Sequence, residues 1–150
     1  MEWNIVFIIN WALFILLINW KELKINIWSG IAAASMQLFI DSQFISLRLY
    51  EIHNPVIDIL GSSLFFVTGP VFVIGILFAQ YHPVKKWAVI LYVPIISALF
   101  SIEEYFLLKR GVLEYINWRQ IDSIGVNVAA IGLMSWFCIN VLGKKRGVEK

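Results

Sequence analysis

The sequence predicts an all-α polytopic membrane protein, a single bundle of about five transmembrane helices spread over residues 1–150. Three observations carry this. The chain is 60% hydrophobic, 15% aromatic and only 15% charged, with a mean hydropathy of +0.79, outside the range of water-soluble domains. Its charges are gathered into short clusters such as "KELK", "VKK" and "KRGVLEYINWRQ". Between those clusters the apolar runs approach the roughly 20 residues that cross a bilayer core.

The first span covers residues 3–20, "WNIVFIINWALFILLINW", and carries no charge. A retained helix is expected, because "MEWN" lacks a basic leader and the run ends in "NWKELK" rather than at a small-residue cleavage site. The second span, residues 27–50, contains Gln37, Asp41, Gln43 and Arg48, which hydropathy penalises, so an interfacial helix is its alternative. Losing it would place "KELK" and "VKK" on opposite faces and weaken the charge asymmetry between the two sides. The third span, residues 56–79, and the fourth, residues 87–108, hold Pro70 and Pro94 in mid-run, where proline frees a carbonyl and is expected to kink the helix. The fifth covers residues 121–142. Trp3, Trp20, Trp28, Trp87 and Trp118 fall near span ends as an aromatic belt, with Trp11 and Trp136 deeper as packing residues.

Five spans put Lys21, Lys24, Lys85, Lys86, Lys144, Lys145, Arg146 and Lys150 on one side and Arg48, Lys109, Arg110 and Arg119 on the other. The positive-inside rule then sets the N-terminus outside and the C-terminus in the cytoplasm of a plasma membrane. The tail "GKKRGVEK" reads as a topology signal in which Lys144, Lys145 and Arg146 meet anionic lipid headgroups, not nucleic acid. Cys138 is the only cysteine and reads as packing. His53 and His82 fall on opposite sides, so they share no metal, and neither a metal-ligand spacing nor a cofactor-binding motif is present.

Stepping by three or four residues picks out one face of each helix. The second span reads Gly30, Ala34, Gln37, Asp41, Arg48; the third, Asp58, Gly61, Thr68, Gly75, Ala79; the fourth, Pro94, Ser97, Ser101, Glu104; the fifth, Asp122, Gly125, Ala129, Gly132. Small residues let helices approach closely in lipid, so these faces are expected to meet. Glu104 lies on such a face, whereas Glu103, about 100° away, is expected to reach the outer headgroups. Asp41, Arg48, Asp58, Glu104 and Asp122 all fall in the outer half. An ionisable group there is costly unless paired, so Arg48 is expected to neutralise Asp41 or Glu104.

From Pro70 to Trp118 the chain reads "GPVFVIGILFAQYHPVKKW", then "ALFSIEEYFLLKRGVLEY" and "NW". This resembles an uncharacterised family of small multi-pass membrane proteins of spore-forming Gram-positive bacteria, which shares a proline-bearing span, a Tyr and Lys turn, a Ser-x-x-Glu-Tyr helix and an aromatic outer loop. Ser101, Glu104 and Tyr105 match that motif. The resemblance implies the layout and brings no activity. "IEEYFL" is also similar to the acidic helix of membrane lycopene cyclase domains, although Ser101 and Ile102 stand where those have proline.

Two function classes follow. One is a non-enzymatic bundle whose outward-facing polar and acidic cluster, drawn from Glu104, Asp41, Arg48, Asp58, Asp122, Glu103, Ser101 and Gln37, binds a cation, a proton or a small polar ligand, or which serves as an accessory subunit. The other is a membrane enzyme acting on a lipid or isoprenoid with Glu104 as acid. A transporter built from so few spans, with no visible inverted repeat, would need to be a homo-oligomer. An apolar cavity opening sideways to lipid favours the enzyme; a wet outward vestibule favours ion or polar-ligand binding.

Overall fold

The computed structural model describes residues 2–144. Helix α1 (Glu2–Leu17) leads by a short turn into α2 (Leu23–Ser46). Strand β1 (Tyr50–Ile52) and a small hairpin of β2 (Asp58–Ile59) and β3 (Ser62–Ser63) follow. Then come α3 (Leu64–Gln80), α4 (Lys86–Lys109), β4 (Leu113–Tyr115) and α5 (Gln120–Asn140). Strands β1 and β4 pair antiparallel, with Tyr50 opposite Tyr115, Glu51 opposite Glu114 and Ile52 opposite Leu113.

The helical class expected from the sequence is therefore found, with different boundaries. Helices α2, α4 and α5 are each long and apolar enough to cross a membrane; α1 and α3 are apolar but shorter. The first expected span ends at Leu17 rather than residue 20. The third begins at Leu64 rather than residue 56, because residues 58–63 close a hairpin with left-handed backbone at Leu60 (φ 55°) and Gly61 (φ 84°). Pro70 is absorbed by a widened turn over Val67–Val71 inside α3, which accommodates the missing N–H without ending the helix. Pro94 sits within the uninterrupted α4.

Two helix ends aim the chain into the ribbon. After α2, Arg48 adopts left-handed φ 53°, and after α4 Gly111 does so at φ 67°. In both cases the next N–H reaches back into the last turn, Leu49 to Phe44 and Val112 to Leu107. That is the Schellman arrangement, which satisfies carbonyls left over at a helix C-terminus.

Packing is tightest between α2 and α3. A Cβ on Gly75 would lie 2.7 Å from the Ala33 Cβ and 3.0 Å from the Gly30 Cα, and one on Gly69 would meet the Phe7 Cα at 3.1 Å. These glycines, not those of α5, bring backbones together. Around Gly125 and Gly132 a Cβ would meet nothing within 4 Å, so the expected Gly125–Ala129–Gly132 face does not join the interior. Helix α5 turns Ser123, Asn127, Met134, Ser135 and Cys138 inward instead. Helices α1 to α3 form one group and α4 with α5 another, joined chiefly where α2 meets α5. Trp3 is buried and donates Nε1–H to the His53 carbonyl at 3.0 Å, and Trp118 packs on Phe44 with ring centroids 5.1 Å apart, so these two tryptophans belong to the interior rather than a belt. Trp136, expected inside, faces outward.

Candidate functional site: a two-carboxyl pocket under a strand ribbon

Alternation along β1 and β4 sends Tyr50, Ile52, Leu113 and Tyr115 to one face and Glu51 and Glu114 to the other. The first four are buried or half-buried and the two glutamates are exposed. The ribbon thus closes one end of the bundle with an apolar, tyrosine-bearing underside. Beneath it, between the two helix groups, lies a narrow cavity with about 90 Å³ of water-accessible space. Its walls are largely apolar and aromatic, with Trp3, Phe44, Phe66, Phe78, Phe100 and Trp118 among them. The polar side chains reaching it are Gln37, Asp41, Tyr50, Glu104, Ser123 and Asn127.

Asp41 is 1% exposed. Its Oδ1 accepts from Gln37 Nε2 at 2.8 Å and from the Tyr50 hydroxyl, and its Oδ2 accepts from Ser62 Oγ at 2.5 Å. Gln37 reaches it because residues four apart stack on one helical face. Glu104 is held in the same manner: Oε1 accepts from the Tyr115 hydroxyl at 2.6 Å and from Ser123 Oγ, and Oε2 from Asn127 Nδ2 at 3.0 Å. Asn127 also donates to Ser101 Oγ at 3.1 Å. Each carboxyl therefore gathers one tyrosine, one serine and one carboxamide, all of them neutral donors. Burial first, and after it the charge of Asp41, pushes the Tyr50 hydroxyl far above the usual tyrosine range. Burial together with the hydrogen bond to Glu104 does the same at Tyr115. Both phenols stay protonated and available as donors.

Of the residues expected to form the site, Glu104, Asp41, Gln37 and Ser101 come together. The others do not. Arg48 lies beyond the end of α2, exposed, and makes no ion pair among the described residues; what it contributes is its carbonyl, which accepts from Asn117 Nδ2 at 3.2 Å. The expected pairing with Asp41 or Glu104 fails because the helix stops two residues short of Arg48. Asp58 sits on the β2 strand, where its Oδ1 accepts from the Gly61 N–H at 3.4 Å. Asp122 forms a two-pronged pair with exposed Arg119, both contacts at 2.9 Å. Glu103 does not reach for headgroups; it turns toward α1, where Asn10 Nδ2 donates to it at 3.4 Å. Lys144 folds back on the Ala79 carbonyl, with Glu22 3.7 Å away; Lys145 and Arg146 lie outside the described residues.

Tyr50, Ser62, Tyr115, Ser123 and Asn127 were not among the expected residues. Ser123 and Asn127 carry a readable signal, a polar pair four apart in an apolar run, but the Gly125 and Ala129 series two positions along marks the opposite face. The tyrosines depend on the ribbon register.

A second, shallower apolar groove runs between α2 and α5, lined by Ala32, Met36, Leu133, Met134, Trp136 and Phe137. Met36 and Met134 border both spaces, so these two side chains stand between the cavity and the bundle's flank. No family model matches this chain, and no curated protein and no solved structure matches it either.

Proposed function

We propose that this is a five-span plasma-membrane protein, N-terminus outside and C-terminus cytoplasmic, of the spore-former family that its Ser101–Glu104–Tyr105 motif resembles. Its pocket binds an amphiphile from the bilayer and sets that molecule's positive charge against Asp41 and Glu104. Membrane insertion is supported by the outward-facing apolar surface, for example Leu16 at 78% and Phe39 at 66% exposure, far more than a soluble chain tolerates. The two helices shorter than the core are accommodated by local thinning or by neighbours. Orientation rests on the basic asymmetry. In a Cys138→Ala background, Lys145→Cys is expected to resist a membrane-impermeant thiol reagent added outside intact cells; labelling there would reverse the orientation.

The single observation that carries the ligand reading is an apolar, aromatic cavity holding two carboxyls whose every hydrogen bond comes from a neutral group. The network supplies donors and no positive charge, and a buried charge without a partner is costly. Aromatic faces and carboxylates together are the chemistry that holds an organic cation. The groove between α2 and α5 supports entry from lipid. In nanodiscs, the protein is expected to bind hexadecylamine at least tenfold more tightly than hexadecanol, read by tryptophan fluorescence. Equal binding of the amine and the alcohol would sink the charge reading.

The apolar groove on the flank also favours a second reading, an enzyme acting on an isoprenoid or other lipid with Glu104 as acid. A product formed from a polyisoprenoid alcohol in vesicles, and lost in Glu104→Gln, would select it over simple binding.

A further inference from the structure

A constant offset of 63 residues carries α2 and β1 onto α4 and β4. Both helices have 24 residues, Leu23–Ser46 and Lys86–Lys109. Under that offset Asp41 falls on Glu104, left-handed Arg48 on left-handed Gly111, and Glu51 on its own ribbon partner Glu114. Helix-end bonds correspond: Arg48 N to Ile45 O (2.9 Å) with Gly111 N to Leu108 O (3.0 Å), and Leu49 N to Phe44 O (3.0 Å) with Val112 N to Leu107 O (3.2 Å). Across the ribbon, His53 N to Val112 O (2.8 Å) exchanges with Ile116 N to Leu49 O (2.9 Å). A two-fold axis between Glu51 and Glu114 accounts for all of these. Side chains hide it, since residues 23–54 and 86–117 agree in identity only at Ile27/Ile90, Glu51/Glu114 and Asn54/Asn117.

The donors are supplied differently in the two halves. Tyr50 and Tyr115 are cross-ribbon partners rather than offset equivalents, and the amides come from α2 in one case and α5 in the other. Even so, each carboxyl ends with one tyrosine, one serine and one amide. An ionised carboxyl offers roughly four lone-pair sites. Asp41 has two donors on Oδ1 and one on Oδ2; Glu104 has two on Oε1 and one on Oε2. Counted as ionised, each keeps one acceptor site unfilled, and both carboxyls line the same cavity.

We infer that residues 23–54 and 86–117 are two copies of one helix–strand unit whose carboxyls form a single two-armed site for the protonated primary amine of a long-chain amphiphile, Asp41 binding it on the same footing as Glu104. A primary ammonium has three N–H donors on one charge, enough to fill the open acceptor on each carboxyl. A quaternary ammonium has the charge and the aromatic contacts but no N–H, so it fills neither. This rests on the charge reading of the pocket and adds to it the headgroup class and the second carboxyl.

The test compares hexadecylamine with hexadecyltrimethylammonium on the full chain in nanodiscs, with hexadecanol as the neutral control. The unmodified protein is expected to prefer the primary amine by tenfold or more. Asp41→Asn and Glu104→Gln are each expected to weaken amine binding at least tenfold, to within about threefold of one another, and each to abolish the preference over the quaternary ion. If both cations bind alike and above the alcohol, the two-armed site is wrong while the charge reading stands. If neither cation exceeds the alcohol, the charge reading itself falls. Full binding by a folded Asp41→Asn would make Asp41 purely structural and overturn the inference. Should Asp41→Asn fail to fold, the primary-to-quaternary preference of the unmodified protein and its loss in Glu104→Gln decide the question alone.

Discussion

Replacing Gly75 by alanine adds one methyl where α2 and α3 touch. That methyl would sit 2.7 Å from the Ala33 Cβ, 3.0 Å from the Gly30 Cα and 3.0 Å from the Ser29 carbonyl oxygen. Carbon pairs are most favourable at about 3.5–4.0 Å, so the overlap approaches 1 Å. Two of the three opposing atoms are backbone, which no rotamer change can remove. The helices must separate, and overpacking of this kind costs about 1–3 kcal/mol. Alanine's better helix propensity returns up to about 1 kcal/mol, leaving a net loss of up to about 2 kcal/mol when that gain is realised in full. Gly125→Ala is the control: its methyl meets nothing within 4 Å, so only the propensity gain of up to about 1 kcal/mol remains. The propensity gain is common to both, so the two variants should differ by the overpacking cost alone, about 1–3 kcal/mol, a gap of roughly 2–12 °C for a chain of this size. Thermal melts in one detergent, followed by tryptophan fluorescence and circular dichroism, measure it. A Gly75→Ala melt at or above that of the parent, or a Gly125→Ala melt well below it, would refute the assignment of the close contact to α2–α3.

At the two helix ends, left-handed backbone suits glycine and strains arginine, so Arg48→Gly should raise stability by about 0.5–1 kcal/mol and Gly111→Ala should lower it by about 1 kcal/mol, both read from denaturant unfolding. Tyr50→Phe removes one donor from buried Asp41 and should cost about 1–3 kcal/mol by the same measurement. A parental midpoint for Tyr50→Phe would show that bond to be dispensable. His82 lies between α3 and α4 with a ring nitrogen 2.8 Å from Ser135 Oγ, and burial first, then Lys144, holds its imidazole below the ordinary value of 6.5. The unfolded chain takes up the proton more readily, so stability is full above pH 6.5 and falls as the pH drops below it. His82→Gln should flatten that slope in melts between pH 7 and 5.

Hydropathy read the helices because they are long apolar runs, and it located Asp41, Gln37 and Glu104 because polar groups inside such runs stand out. It misplaced Arg48 because a helix end set by one left-handed residue leaves no trace in hydropathy. Residues 56–63 also read as part of a span, since a short hairpin of Ile, Leu and Ser resembles the start of an apolar helix. The inward face of α5 escapes hydropathy because glycine and alanine on an outward-facing surface look like a packing stripe, whereas Ser123 and Asn127 hydrogen-bond to Glu104. The pairing of Tyr50 with Tyr115 joins residues 65 positions apart through two three-residue strands, and strands so short leave too faint a pattern to fix a register.

The ribbon has a mechanical counterpart at the opposite end of the bundle. There His82 meets Ser135, Tyr92 donates to the Phe78 carbonyl at 3.2 Å, and Lys144 caps the Ala79 carbonyl. The two helix groups are thus hooped at both ends, like staves, while the seam between α2 and α5 at mid-height is closed by side chains alone, Met36 and Met134 among them. Methionine turns about several unhindered bonds. Parting that seam would take rotamer changes at these side chains and would leave both hoops intact.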